Sequence, residues 1–276
     1  MKKIATTLKS MLSRGVAKKR LTTAAQLGGY ELLEGRCLLA ADLLQLGVVY
    51  TENDFGSDAR GDTLEITFNQ GAPNTELTRL IIHGDHNKIG FDAGDIIFDV
   101  QSQGLGADQA FPFTIAQLST QHPGAIVTAT VQDGSSALIL DFKDFVAGDR
   151  VVIELDVDEV EIDLHGTDAE KNEGIDPITS GIEFQGGRIV AEVTAQNYRD
   201  SGAMAIFRNS YDDALEASGL DLPEDNANDM RDRTAAAFVS VVQTPLPVRI
   251  AGSVFVDIDN NQQRLKPFLI ITTIFL

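Results

Sequence analysis

The sequence predicts an all-β protein, built mainly as an antiparallel β-sandwich. Apolar and polar residues alternate with a period of two through many short runs between Val48 and Phe207. Turn-forming residues separate these runs, and the 3.6-residue period of an amphipathic helix is absent from the region. Short strands with one buried and one wetted face, punctuated by turns, are typical of two-sheet sandwiches.

The alternation is clearest in the first run, where Leu64, Ile66 and Phe68 point one way and the threonines and glutamate between them point the other. Six further runs follow: Leu77–His83, Asp95–Gln101, Ala125–Val131, Ala137–Lys143, Arg150–Val157 and Gly187–Ala195. Turns are predicted at Gly71-Ala-Pro-Asn, Gly84-Asp, Gly104-Leu-Gly, Asp133-Gly, Gly148-Asp and Gly186-Gly. Each run therefore reads as one strand of a domain spanning residues 48–207.

A dense group of acids ends the sixth strand. Val151, Ile153, Leu155 and Val157 are expected to face the core, and Val152, Glu154 and Asp156 the water. Asp156, Asp158, Glu159, Glu161 and Asp163 follow closely on one another. We interpret them as an acidic sheet edge that repels other edges. A weak Ca²⁺ site with oxygen ligands is the second interpretation.

Charge divides the chain into two parts. Residues 1–36 carry eight Lys or Arg and two Glu, a net charge of +6, whereas the other 240 residues carry 14 Lys or Arg and 39 acids, a net charge of −25. The acidic body argues against a nucleic-acid partner, because phosphate binding needs a basic face. Cys37 is the sole cysteine, so no disulfide can form within the chain.

The basic segment is predicted to be an export leader covering residues 1–42. The stretch Tyr30–Asp42, YELLEGRCLLAAD, resembles the LE-x-R-x-LLAAD motif near the start of many exported planctomycete proteins. The matching positions are Leu33-Glu34, Arg36 and Leu38-Leu39-Ala40-Ala41. The resemblance implies a secreted or cell-surface protein.

Residues 208–247 are predicted to form an acidic linker and a proline joint. Within them, Tyr211–Ser218 could form two helical turns with Ser210 as the N-cap. Ala235–Val242 is apolar enough for either a strand or a short helix, and Thr244-Pro-Leu-Pro is expected to be rigid and extended.

Residues 248–276 are predicted to be an incomplete β-domain. Asp257, Asp259 and Asn261 stand two residues apart, a spacing at which side-chain oxygens can wrap Ca²⁺. With Ile250, Gly252, Val254 and Phe255 they resemble the opening of the B-type repeat domain of serine-aspartate-repeat surface proteins, although Gln262 replaces the motif's glycine. That resemblance implies Ca²⁺ at the three residues. Only 15 residues follow Asn261, so we expect a truncated or frame-shifted domain.

The last ten residues, PFLIITTIFL, are strongly apolar but too short for a transmembrane span, which needs about 20 residues. We interpret them as part of the truncated product, with a final strand of the sandwich as the alternative.

Catalytic signatures are weak. His83-Gly-Asp85-His86 could contribute to a zinc site only if His122 or His165 folded close to it. No GxSxG, phosphate-loop or dinucleotide motif occurs, so we expect no enzyme activity.

The sequence favours a secreted structural or adhesive protein that contacts an extracellular matrix or surface component, which could be a polysaccharide. The alternative is a carbohydrate-binding sandwich, which would need exposed aromatic residues on one face.

Overall fold

A computed structural model describes residues 42–53, 60–86, 92–106, 110–162, 166–176, 184–224, 230–247, 249–254 and 268–273. Most of these residues form strands, and every strand pairing is antiparallel. Two sheets pack together as a β-sandwich, which confirms the predicted fold class.

The larger sheet has eight strands. Its main path runs in the order β12, β13, β1, β2, β8, β4, and β5 and β9 also pair with β8. The strands are β1 (Leu43–Thr51), β2 (Asp62–Gln70), β4 (Ile96–Asp99), β5 (Thr114–Ser119), β8 (Arg150–Val160), β9 (Ile175–Asp176), β12 (Arg208–Asn209) and β13 (Thr234–Val242). β8 is the longest of them: β2 and β5 pair with its first half, and β4 and β9 pair with its second half.

The smaller sheet has five strands in the order β11, β10, β3, β7, β6. They are β3 (Thr75–His83), β6 (Ile126–Val131), β7 (Ala137–Val146), β10 (Arg188–Ala195) and β11 (Ser201–Ile206). A separate hairpin joins β14 (Arg249–Val254) to β15 (Phe268–Thr273). The apolar tail therefore contributes a strand, whose partner is β14.

One continuous apolar core lies between the two sheets. Alternate residues of each strand enter it, as Leu64, Ile66 and Phe68 of β2 do, and all three are fully buried. Opposite them, Leu80 and Ile82 of β3 are equally buried. Burying such a side chain contributes about 1.5–3 kcal/mol, so the period-two pattern supplies the main force that holds the sheets together.

The chain passes from one sheet to the other in short turns. Between β7 and β8, Gly148 adopts a φ of +96°, and the Asp149 carboxylate accepts hydrogen bonds from the N–H groups of Val146 (2.8 Å) and Gln121 (2.7 Å). The structure confirms the turn that the sequence predicts at Gly148-Asp149. Between β2 and β3, the buried Gln243 side chain accepts a hydrogen bond from the Ala72 N–H.

Two short helices complete the described elements: α1 (Asp168–Asn172) and α2 (Asp213–Glu216). The prediction of Ser210 as the N-cap of the second helix is wrong. Asp212 caps α2 by accepting the Ala214 N–H, whereas the Ser210 hydroxyl donates to the Arg231 carbonyl. An aspartate at this position satisfies the same free backbone donor, and its charge suits the helix N-terminus better than a hydroxyl.

The larger sheet includes strands outside the 48–207 range. β1 begins at Leu43, and Ala235–Val242, for which a strand or a helix was predicted, forms β13 beside β1. Both faces of this part of the sheet are covered, because Val49 and Ala236 on the outer face pack against Leu215 of α2. Among the described residues, no helix has the length and apolar character needed to cross a bilayer.

Phe184 tests the contribution of the core. Its ring stacks on Tyr50 at 4.2 Å and meets Phe207 edge-on at 4.7 Å. Replacing it with alanine leaves a cavity where three rings meet, so Phe184→Ala should lower the free energy of unfolding by about 3–5 kcal/mol in urea titrations. Met204→Ala, at a side chain that is 62% exposed, should change it by no more than about 0.5 kcal/mol. Equal effects of the two variants would contradict the described core.

Candidate functional site

The residues predicted to bind Ca²⁺, Asp257, Asp259 and Asn261, lie outside the described residues, as do Asp163 and His165. Residues 255–267 join β14 to β15 in sequence, and the hairpin's last described pair is Val254 with Phe268. The Ca²⁺ site therefore stays a prediction.

Within the sandwich, carboxylates concentrate where β4 pairs with β8. In the register of this pair Asp99 stands opposite Asp156, and Ile97 stands opposite Asp158. All three aspartates are on the outer face of the sheet, because the core-facing positions of β8 are Val151, Ile153, Leu155 and Val157. We call Asp99, Asp156 and Asp158 the carboxylate cluster; each is at most 3% exposed.

A loop that is tied to a helix covers the carboxylate cluster. Gly106, with φ +146°, approaches so closely that a Cβ would lie 2.7 Å from Asp158 Oδ2 and closer still to Asp99 Oδ2. The Gly106 N–H donates to Asn172 Oδ1 (3.1 Å), and Asn172 Nδ2 donates to the Gly104 carbonyl (3.0 Å), which ties the loop to α1. The cluster is thus enclosed between the sheet and the 100–106 loop.

Asp133 fixes the shape of that loop. Its Oδ1 accepts hydrogen bonds from the Val100 N–H (3.0 Å) and the Gln101 N–H (2.9 Å), and its Oδ2 accepts one from the Leu105 N–H (3.2 Å). Leu105 in turn packs against the small apolar cluster of Ile97, Val160 and Ile175. In the sequence, Asp133-Gly134 indicates only a turn, because nothing local shows that the Asp133 carboxylate binds a loop about 30 residues earlier.

The interpretation of Asp156 and Asp158 as an acidic sheet edge is wrong, and so is the expectation that Asp156 faces water. At this end β8 has β4 and β9 as neighbours, so it is not an edge strand. The outer face is also buried here, since Val160, Ile97 and Ile175 form a small apolar cluster with Leu105 above them. Alternation along one strand predicts that these charged side chains face solvent, because the segments that cover them are distant in sequence.

Closely spaced, buried carboxylates favour either protonation or a compensating positive charge. Cation binding and proton sharing are therefore the chemistry that such an arrangement permits. In the part of the chain that the structure describes, however, no group of three or more His, Cys, Asp or Glu side chains is placed to hold a metal ion.

A second set of polar residues lies at the start of β2, where β2 pairs with β8, and this set faces the core. The Tyr50 hydroxyl donates to Asp62 Oδ2 (2.9 Å), and the Asn53 N–H donates to Asp62 Oδ1 (3.1 Å). Burial raises the pKa of Asp62 well above its usual range, and the charges of Glu52 and Asp158 add to this effect. Burial also raises the pKa of the Tyr50 hydroxyl, and the neighbouring Asp62 raises it further.

Arg233 supplies positive charge close to this set. Its Nε lies 3.2 Å from Glu52 Oε2, and its guanidinium also donates to the Glu52 carbonyl. Both side chains are 7% exposed, so this ion pair is screened little by solvent. It links the residue that directly precedes β13 to the residue that directly follows β1.

The histidine group does not form the suggested zinc site within the described residues. His83 belongs to β3, whereas His86 lies in the following turn, where its backbone N–H donates to Asp95 Oδ1. Its ring is beside Gly186, and burial lowers the His86 pKa. His122 is in the turn between β5 and β6.

The described tyrosines do not share a face. Tyr50 is in the core, Tyr198 donates a hydrogen bond to Asp42, and Tyr211 is exposed with the Arg231 guanidinium 4.8 Å from its ring centre. A hollow of about 330 Å³ lies near β11, lined in part by Met204, Ile206 and Phe238. Its aromatic lining is a single phenylalanine ring among the described residues, which does not make a sugar-stacking platform.

Comparison of the chain with protein-family models, with curated proteins and with solved structures found no match.

Gly106→Ala tests the closeness of the loop to the carboxylate cluster. Alanine at φ +146° is strained, and its Cβ would overlap Asp99 Oδ2. The free energy of unfolding of the variant, measured by urea titration, should therefore be lower by about 1–3 kcal/mol. Gly124→Ala is the matched control, because the nearest atom to its Cβ would be 3.7 Å away, and it should be neutral or slightly stabilising. A neutral Gly106→Ala would contradict the enclosed position of the cluster.

The raised pKa of Asp62 predicts a specific pH dependence. Between the unfolded pKa of this group, about 3.9, and its higher folded pKa, the folded state binds more protons, so stability falls as pH rises. Asp62→Asn keeps an acceptor for the Tyr50 hydroxyl but removes this titration. Urea titrations from about pH 4 to 8 should show wild type losing stability relative to the variant as pH increases. If the difference in free energy of unfolding between wild type and Asp62→Asn did not change with pH, the raised pKa of Asp62 would be wrong.

Proposed function

We propose that this chain is a secreted or cell-surface structural protein that displays or spaces other groups and does not catalyse a reaction. The observation that carries the proposal is the continuous core joining the two sheets. Such a core makes the sandwich a stiff body, which is the property that a spacer or adhesive module needs. The acidic composition, a net charge of −19, keeps such a body soluble and favours contact with cations.

The positions of the carboxylates support a non-catalytic role. Asp133 binds loop N–H groups, Asp149 binds the turn between the sheets, and Asp62 binds Tyr50. The carboxylate cluster is enclosed beneath the 100–106 loop, where a substrate would not reach it without displacing the loop. These acids therefore hold the fold together rather than face a cleft.

Export is proposed from the leader. The motif at Leu33–Ala41 resembles that of exported planctomycete proteins, and it follows a segment with a net charge of +6. The partner proposed for the sandwich is accordingly a component of the extracellular matrix or the cell surface.

Calcium is proposed to bind at Asp257, Asp259 and Asn261. Support comes from the three side-chain oxygens at two-residue spacing and from β14, which leads toward them as the resemblance implies. Oxygen ligands at this spacing suit Ca²⁺ better than softer metals. An ion bound in the 255–267 connection would tie β14 to β15 and stiffen the hairpin.

Thermal unfolding of the full chain tests the calcium proposal. A ligand that binds the native state alone raises its stability, by about 2.7 kcal/mol at a concentration 100-fold above Kd. The melting temperature should therefore be higher in Ca²⁺ than in a chelator, and Asp257→Asn/Asp259→Asn should abolish the difference.

The control for this experiment is Asp213→Asn/Asp221→Asn, which removes two exposed acids elsewhere and should keep the calcium effect. A wild-type melting temperature that does not respond to Ca²⁺ would count against the proposal. A calcium effect that persists in Asp257→Asn/Asp259→Asn would place the ion elsewhere in the chain.

A further inference from the structure

Two strands that follow each other in sequence, β5 and β6, end the two sheets on the same side of the fold. β5 pairs with β8 of the larger sheet, and β6 pairs with β7 of the smaller one. Within the described part of the chain, β6 has no partner on its other side. Every second residue of such an edge strand points its N–H and C=O away from the sheet, where another strand can pair with them.

The segment that forms both strands contains no charged residue. Residues 110–132, which contain both strands, include no Asp, Glu, Lys or Arg, although charged residues make up 23% of the chain. Natural edge strands are commonly protected by charge, by proline, by a bulge or by being very short. β6, with the sequence IVTATV, has none of these features.

Three other strands at the ends of the two packed sheets are protected. β5 has a register shift between Ile115 and Gln117, and β12 is two residues long. At the far end of the smaller sheet, β11 lies beside β13 of the larger sheet. β6 is different, because its pairing with β7 is regular over all six residues and its outward side chains Ile126, Thr128 and Thr130 are exposed.

We propose that β6 is a self-association edge, at which β6 of a second copy of this chain pairs antiparallel with it. Pairing centred on Thr128 would place Thr128 opposite its own copy and Ile126 opposite Thr130 of the partner. The five-stranded sheet of one copy and that of the other would then form one continuous sheet. The two copies would be related by a two-fold axis, which is the usual symmetry of dimers. Threonine pairs and β-branched pairs across strands are favourable.

Charge identifies a second copy as the occupant. Each copy carries a net charge of −19, so most pairs of surfaces would bring acids together. Because β6 itself contains no charged residue, two copies paired along it would not place like charges directly opposite each other. A basic partner would instead be attracted to the acidic faces. The association should strengthen with salt, because salt screens the repulsion between the two bodies.

Sedimentation equilibrium of the full chain over a range of protein and salt concentrations tests this inference. Wild type should associate to dimers, more tightly at high salt. Thr128→Lys places a lysine opposite its own copy and should weaken the dimer about tenfold or more. Thr194→Lys is the matched control, since it adds the same charge to an exposed position of β10, which is paired with β3, and it should dimerise like wild type.

A chain that stays monomeric at all concentrations and salt conditions would overturn the inference, as would equal weakening by the two lysine variants. Hydrogen exchange adds a second readout. Outward-facing β6 amides should exchange quickly in the monomer and slowly in the dimer. Protection of these amides in the monomer would show that another segment of the same chain covers the edge, and the inference would then be wrong. None of these outcomes depends on calcium or on export, so the proposed function is tested separately.

Discussion

Burial of one face of each sheet against the other is the interaction on which the rest of this structure depends. Leu64, Ile66 and Phe68 of β2 reach the core from one side, and Leu80 and Ile82 of β3 reach it from the other. Because side chains alternate along a strand, a one-residue slip would expose the whole set. The core therefore fixes the strand register, and the register fixes which polar residues meet outside it.

The turns between the sheets depend on the strand register that the core fixes, and their hydrogen bonds help to hold that register. The chain must leave one layer and enter the other within a few residues, which frees backbone N–H groups from the sheet ladders. Buried polar side chains accept those groups: Asp149 at the turn between β7 and β8, and Gln243 at the turn between β2 and β3. Leaving such buried donors unsatisfied would cost about 1–3 kcal/mol each, so these side chains are part of the fold's stability.

β8 shows how far the sequence pattern reaches. Its first half alternates as predicted, with Val151, Ile153 and Leu155 in the core. Its second half does not, since Asp156 and Asp158 are buried on the outer face beneath the 100–106 loop. A local pattern describes one strand against one core. It contains no information about a second layer contributed by residues about 50 positions earlier.

The sequence by itself determined the fold class, the turn at Gly148-Asp149 and the strands β2, β3, β4, β6, β7, β8 and β10, because these follow from side-chain alternation and local backbone preferences. For Ala235–Val242 it left two alternatives open, since a strand that is covered on both faces loses its alternation. Only the tertiary structure decided that this segment is β13, that Asp133 holds a distant loop, and that β6 ends a sheet. Each of those outcomes depends on contacts between residues far apart in the chain, which the order of residues does not reveal without the packing that brings them together.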